Sequence, residues 1–187
     1  VKKSDIGMAA LQAGYPAGFS KALNLVLDWE CELNHVTGEI VWENVFEDSG
    51  GSTFAGLLLK DAEVSADPQP DEIAKVYFEK YWTPLNGLPV LVQELVFFEG
   101  VNIGIGSAIR YLQQACNDYG ARIGTDGVLG DMTRQAAFAV HDTTGLCMGF
   151  LQKIRRHYEE IVASRPSQAK FLAGWENRLT AAKSLLA

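Results

Sequence analysis

The segment 88–101, LPVLVQELVFFEGV, is nearly all apolar and constrains the fold more than any other stretch of the chain. A helix without a solvated face has to run through the centre of a fold, with other elements packed around it. The chain supplies candidates for that wrapping. Ile105, Ile109, Leu112, Cys116 and Tyr119 recur at helical spacing and are followed by Gly120, a stop signal. Leu146, Phe150, Ile154, Tyr158 and Ile161 stripe a long helix, and Pro166 opens a last one striped by Phe171, Trp175, Leu179 and Leu186.

Upstream, a short helix is expected from Asp5 to Ala13, capped by Ser4 and stopped by Gly14, and a second begins after YPAG. PDEIAKVYFEKYW places Pro70 and Asp71 where first-turn residues belong. Residues 36–56, VTGEIVWENVFEDSGGSTFAG, mix β-branched and aromatic residues with glycines, which reads as a small hairpin near 36–47 running into a Gly-rich loop. The expected fold is mainly α (α+β) with this one β excursion. A chain of 187 residues, 48% hydrophobic, can bury either one domain or two lobes that share a core.

Several chemistries find no support. A formal net charge of -7 gives no basic footprint for nucleic acid. Cys31, Cys116 and Cys147 form no C-x-x-C pair and no disulfide framework, and read as small buried hydrophobes. His35, His141 and His157 lack metalloprotease spacing, no G-x-S-x-G elbow exists, and the glycines 104 and 106 lack the third glycine and the strand–helix alternation of a dinucleotide site. Neither a metal nor an organic cofactor is therefore expected. The opening VKKSDIGMAALQAGYPAGF contains only short, interrupted apolar runs, so the expectation is a protein made in the cytoplasm without a signal peptide and without a membrane span.

The carboxylates remain. In the stretch DWECEL, Glu30 lies four residues past Val26 and seven past Leu23, on the face shared by Phe19, Leu23, Val26 and Leu27, whereas Glu32 points roughly opposite. At the C-terminal end of a helix, burial and the negative end of the helix dipole both disfavour a carboxylate's charged form. A carboxylic acid that keeps its proton near neutrality suits general-acid glycoside hydrolysis. The same position equally suits a glutamate reaching out of a helix end or pairing with an arginine. In EDSGGSTFAGL, residues 47–57, Gly50 and Gly51 allow close approach of a ligand, with Asp48 and Thr53 as a carboxylate and a hydroxyl on either side; the alternative is a polar turn leading into a helix capped by Ser52 or Thr53. A glycosidase needs an acid on one side of the scissile bond and a base or charge stabiliser on the other.

A helix ending in Glu30, a β excursion, and then Asp48-Ser49-Gly50-Gly51-Ser52-Thr53-Phe54-Ala55-Gly56-Leu57 together resemble glycoside hydrolase family 108, the phage-type N-acetylmuramidases. YFEKYWTPL, GVNIGIGSAIRYLQQA and DGVLGDMTRQA extend the resemblance in the same order over roughly residues 17–140. The chain departs from the family's pattern at Cys31 and Glu32, where two glycines stand, and at Phe98, where relatives often carry Asp. It also has a longer gap between Glu30 and Asp48.

The resemblance implies a lysozyme-like helical fold, with residues 1–90 as the catalytic lobe and 91–187 as a helical lobe like the family's peptidoglycan domain, packed as one unit. It implies cleavage of the β-1,4 bond of the peptidoglycan glycan strand, for lysis or wall remodelling, with Glu30 as the acid and Asp48 and Thr53 placing water and balancing charge. Gly50, Gly51, Tyr81, Trp82 and Asn102 would line the substrate, although core packing or helix capping accounts equally well for the last three. Action in the periplasm or at the wall, delivery by a holin or secretion apparatus, and a cognate inhibitor complete that expectation. The competing expectation is a non-catalytic peptidoglycan- or protein-binding module on a muramidase-derived fold.

Overall fold

Gly14, at φ 73°, ends the first helix as expected, with its N–H donating to Leu11 O at 3.1 Å and Tyr15 N–H donating to Ala10 O at 3.3 Å. That helix, α1 (Lys3–Gln12), starts ahead of the expected Ser4 cap because Asp5 closes its first turn, accepting from Lys2 N–H at 2.8 Å. Helix α2 (Ala17–Glu30) buries Phe19, Leu23, Val26 and Leu27, the stripe read from the sequence. The computed structural model describes residues 1–45, 51–58 and 64–187. They divide into two compact units, Val1–Thr83 and Pro84–Ala187.

In the first unit, α3 (Pro70–Tyr77) starts at its proline and continues as a π turn over Phe78–Trp82. This brings Phe78 onto Tyr15, stacked at 4.1 Å, and sets Trp82 edge-on to Phe19 at 5.5 Å. A three-stranded antiparallel sheet follows α2 in sequence: β1 (Glu43–Val45), β2 (Gly51–Phe54) and β3 (Leu57–Leu58), in that order. Glu43 pairs with Thr53, and Phe54 with Leu57.

The hairpin expected near 36–47 is thus displaced. Leu33 and Ile40 bridge across a turn in which Asn34 N–H donates to Glu39 O at 2.8 Å and the Asn34 side chain accepts from Val36 and Thr37 N–H. The paired strands come later. Ser52 and Thr53 are strand residues and cap no helix, because Phe54 has an apolar partner to bury against, its ring 5.1 Å from that of Trp42.

In the second unit, the apolar segment forms α4 (Val90–Ile103), buried without a break from Val92 to Gly100. Gly104, at φ 86°, joins it to α5 (Ile105–Asp118). After α6 (Asp131–Ala139) come α7 (Thr143–Ser164) and α8 (Leu172–Ala182), and α4 packs against α5, α7 and α8. The fold is mainly α. Asn86 is held within the second unit: Arg134 Nε donates to its carbonyl at 2.9 Å and Gln93 Nε2 to its side chain at 3.2 Å.

Two stripes depart from expectation at their ends. Tyr119 is 47% exposed although Ile109, Leu112 and Cys116 are buried. Pro166 opens a 3₁₀ turn over Pro166–Phe171, so the final helix starts later and buries Arg178, Leu179 and Ala182, with Phe171 left 45% exposed. The DGVLGDMT turn closes around Gln113, which donates to Asp126 Oδ1 at 2.8 Å and Thr133 Oγ1 at 3.1 Å and accepts from Gly127 N–H at 2.9 Å. No helix among the described residues is long and apolar enough to cross a membrane.

Candidate functional site

Glu30 is the last residue of α2 and is half-buried. Its surroundings are set by the two-residue turn between β2 and β3, Ala55–Gly56, in which both residues adopt positive φ, 51° and 74°. For alanine that conformation is strained by roughly 1–2 kcal/mol, so something must hold it. Tyr77 does: its hydroxyl donates to Ala55 O at 2.7 Å in a buried bond from the end of α3. The result is a close fit. A Cβ on Gly56 would lie 3.0 Å from Glu30 Cβ, 3.1 Å from the Tyr77 hydroxyl and 3.4 Å from Glu30 Oε2, so both φ and the tight space favour glycine.

Tyr81 lies in the π turn, half-buried, its ring 5.6 Å from that of Tyr77. Burial, and secondarily the charge of Glu30, push its phenol above the ordinary range. Tyr81 and Glu30 therefore share one electrostatic neighbourhood.

Sequence reading missed Glu43. Its carboxylate, on β1 opposite Thr53, accepts from Glu32 N–H at 3.1 Å. Burial first, then the charges of Glu32 and Glu30, raise its pKa, while the bond from Glu32 N–H opposes the rise. No local signal marks Glu43; it is recruited by strand register. Gly56 and Tyr77 carried weak signals, one inside the Gly-rich stretch and one at the start of YFEKYWTPL.

Cys31, beside Glu30, caps α2 in extended conformation. Burial chiefly, with Glu30, Glu43 and Asp28 adding and Lys3 opposing, pushes its thiol up to about 12. It therefore stays protonated and is no thiolate nucleophile. Cys116 and Cys147 are buried, matching their reading as small hydrophobes.

The remaining expected site residues separate. Thr53 lies on β2, half-buried and paired with Glu43; Gly51 begins the same strand. Asp48 and Gly50 lie outside the described residues. Trp82 is corrected from a substrate wall to a core residue, 3% exposed and packed on Phe19, because the π turn rotates it inward while leaving Tyr81 near Glu30. Asn102 belongs to the second unit, where its amide donates to the Tyr158 hydroxyl at 2.9 Å. Among the described residues no group of three or more His, Cys, Asp or Glu could hold a metal ion.

Chemically, the first unit thus presents a half-buried carboxylate at a helix end, a second glutamate in strand register with Thr53, and a tyrosine whose phenol feels the charge of Glu30. This arrangement can give or take a proton.

Comparison with known proteins adds two findings. Residues 107–180 match the family model described as Predicted Peptidoglycan domain, which associates the chain with peptidoglycan. Among solved structures, SagA of Brucella abortus superposes with a TM-score of 0.67 at 19% sequence identity, over 90% of this chain and 93% of that one. That likeness is one of fold. No curated protein matches.

Proposed function

We propose that the chain is a peptidoglycan hydrolase of the N-acetylmuramidase type, in which Glu30 protonates the leaving oxygen of a β-1,4 glycosidic bond. The observation that carries this reading is the seating of Glu30. Its carboxylate ends an apolar helix and lies against a left-handed turn whose Gly56 leaves little room for a side chain, and that turn is tied to the core by Tyr77. Such anchoring matters because a general acid must be held to within a fraction of an ångström of the oxygen it protonates. In this reading Asp48 is the second carboxylate and Thr53 orients the attacking water. Glu43, opposite Thr53, adds negative charge where an oxocarbenium-like transition state develops positive charge. The glycan strand is the substrate, and the periplasm or cell wall is the place of action.

Glu30→Gln tests this directly. Release of reducing ends from purified peptidoglycan should fall by about 10²–10⁴-fold, with an unchanged melting curve. Muropeptide mass spectrometry should find muramic acid at the new reducing ends of the wild-type digest. Unchanged release by the variant would overturn the role of Glu30.

The second reading is a non-catalytic peptidoglycan-binding module. It draws on one observation: the matched peptidoglycan domain, 107–180, lies wholly outside the unit that holds Glu30. A wild-type protein that sediments with sacculi yet releases no reducing ends would favour it.

A further inference from the structure

Two grooves in the second unit meet at Tyr119. One, of about 550 Å³, is lined by Asp118, Met148, Gln152, Arg155 and Lys183 among others. The other, of about 580 Å³, is lined by residues that include Ile123, Met132, Gln135 and His141. Each has the volume of a small-ligand site, and Tyr119 belongs to both.

Tyr119 is held there by design of the backbone. It directly follows α5, its N–H donates to Cys116 O at 3.0 Å, and Gly120 at φ 90° turns the chain away. Its hydroxyl rests against Gly145 in the first turn of α7, where any Cβ would collide with both it and the Asp142 carboxylate. Asp142 is itself fixed, accepting from Gly145 N–H at 2.8 Å as the cap of α7. Yet 47% of Tyr119 is exposed, and Met148 and Met132 beside it are 42% and 65% exposed. A ring that is both fixed and exposed, at the meeting of two grooves, is suited to recognition.

The rim chemistry selects the ligand class. Acids and bases are largely matched: Lys153 pairs with Asp118 at 2.6 Å and Arg155 with Glu176 at 2.5 Å, leaving Lys183 as a donor at one end. The Asp142 carboxylate lines the other groove, so the two grooves together carry charges of opposite sign and little net charge for an ionic ligand. An aromatic face, two methionines and the amides of Gln135 and Gln152 suit a ligand whose rings are apolar on one face and ringed with hydroxyl and amide groups.

We infer that the grooves on either side of Tyr119 bind consecutive N-acetylated sugars of a glycan strand, with one ring stacked on Tyr119. This rests on the peptidoglycan reading above and deepens it: the matched span 107–180 contains Tyr119 and most of the lining of both grooves.

The test uses the full chain carrying Glu30→Gln, so that strands stay intact, titrated with soluble peptide-free glycan strands and, separately, with free stem peptide. Glycan should shift the methyl resonances of Met132 and Met148. Tyr119→Ala should raise Kd about tenfold or more, Tyr119→Phe should leave it within about twofold, and Gly145→Ala, which displaces the hydroxyl, should weaken binding. Met148→Gln, on the groove surface, provides a variant whose folding is not at issue. Overturning results are glycan binding that leaves both methyls unmoved and is indifferent to Tyr119→Ala and Met148→Gln, or shifts produced by stem peptide and not by glycan. Reducing-end release is followed in parallel in the Glu30 background. Turnover without Tyr119-dependent binding sinks the grooves alone; Tyr119-dependent binding without turnover supports them and sinks only the catalytic role of Glu30.

Discussion

Each unit contains a glutamate set in an apolar helix, and the two meet opposite environments. Glu30 ends α2 and is half-buried. Glu99 lies inside α4, is 0% exposed, and neither carboxylate oxygen has a hydrogen-bond partner. Burial pushes Glu99 up to about 7, with the charge of Arg178 pulling the other way. Arg178, from α8, lies over the Phe98 ring at 4.3 Å and donates to Phe98 O at 2.8 Å. The dry, proton-holding acid that helical periodicity suggests at Glu30 is thus realised most fully at Glu99, where no substrate reaches. Dryness holds a proton; only an accessible edge lets it be delivered. Position on an apolar helical face does not distinguish the two, whereas the groups that meet the carboxylate do.

The sharpest way to break this comparison is Arg178→Ala. Removing this buried side chain leaves a void, strips a donor from Phe98 O and removes the charge that opposes the rise of Glu99, so unfolding free energy in denaturant should drop by about 2–5 kcal/mol. No change would mean that Glu99 is not held by this charge.

Next comes pH. Between the ordinary 4.5 and about 7, the unfolded chain has lost the Glu99 proton while the folded chain keeps it. Stability therefore falls as pH rises through that window and levels off above it, by a total on the order of 3 kcal/mol. Glu99→Gln should flatten the profile, as read from denaturation midpoints at stepped pH.

On the Glu30 side the effects are smaller in stability and larger in turnover. Gly56→Ala forces a Cβ to within 3.0 Å of Glu30 Cβ at a positive φ and should cost about 1–2 kcal/mol. Reducing-end release should fall further than that loss of folded protein explains. Tyr77→Phe removes one hydrogen bond to Ala55 O, worth about 1 kcal/mol, and should lower turnover while leaving sedimentation with sacculi intact. If both variants lost stability and turnover in step, the turn would be scaffold alone.

Much of the fold was legible. An uninterrupted apolar run can only be central, and periodicity with glycine stops marks helices, so α4, α5, α7 and the end of α1 follow from local pattern. Pro70 and Asp71 also located the start of α3, though not its passage into a π turn that sends Trp82 inward. The site was legible in part: Glu30, the glycine that faces it and Tyr77 stand in the quoted motifs, but no motif marks Glu43.

What the sequence by itself determined is the set of helices, their buried faces and the acidic side chain at the end of α2, because each depends on residues within a few turns of one another. Only tertiary structure decided which carboxylate is reachable, that Thr53 faces Glu43 across a sheet, that Gly56 presses on Glu30, and that Tyr119 leaves its stripe to stand between two grooves. Those facts arise where distant segments meet, as when Tyr77 closes on Ala55 across 22 residues, and no local periodicity encodes such a meeting.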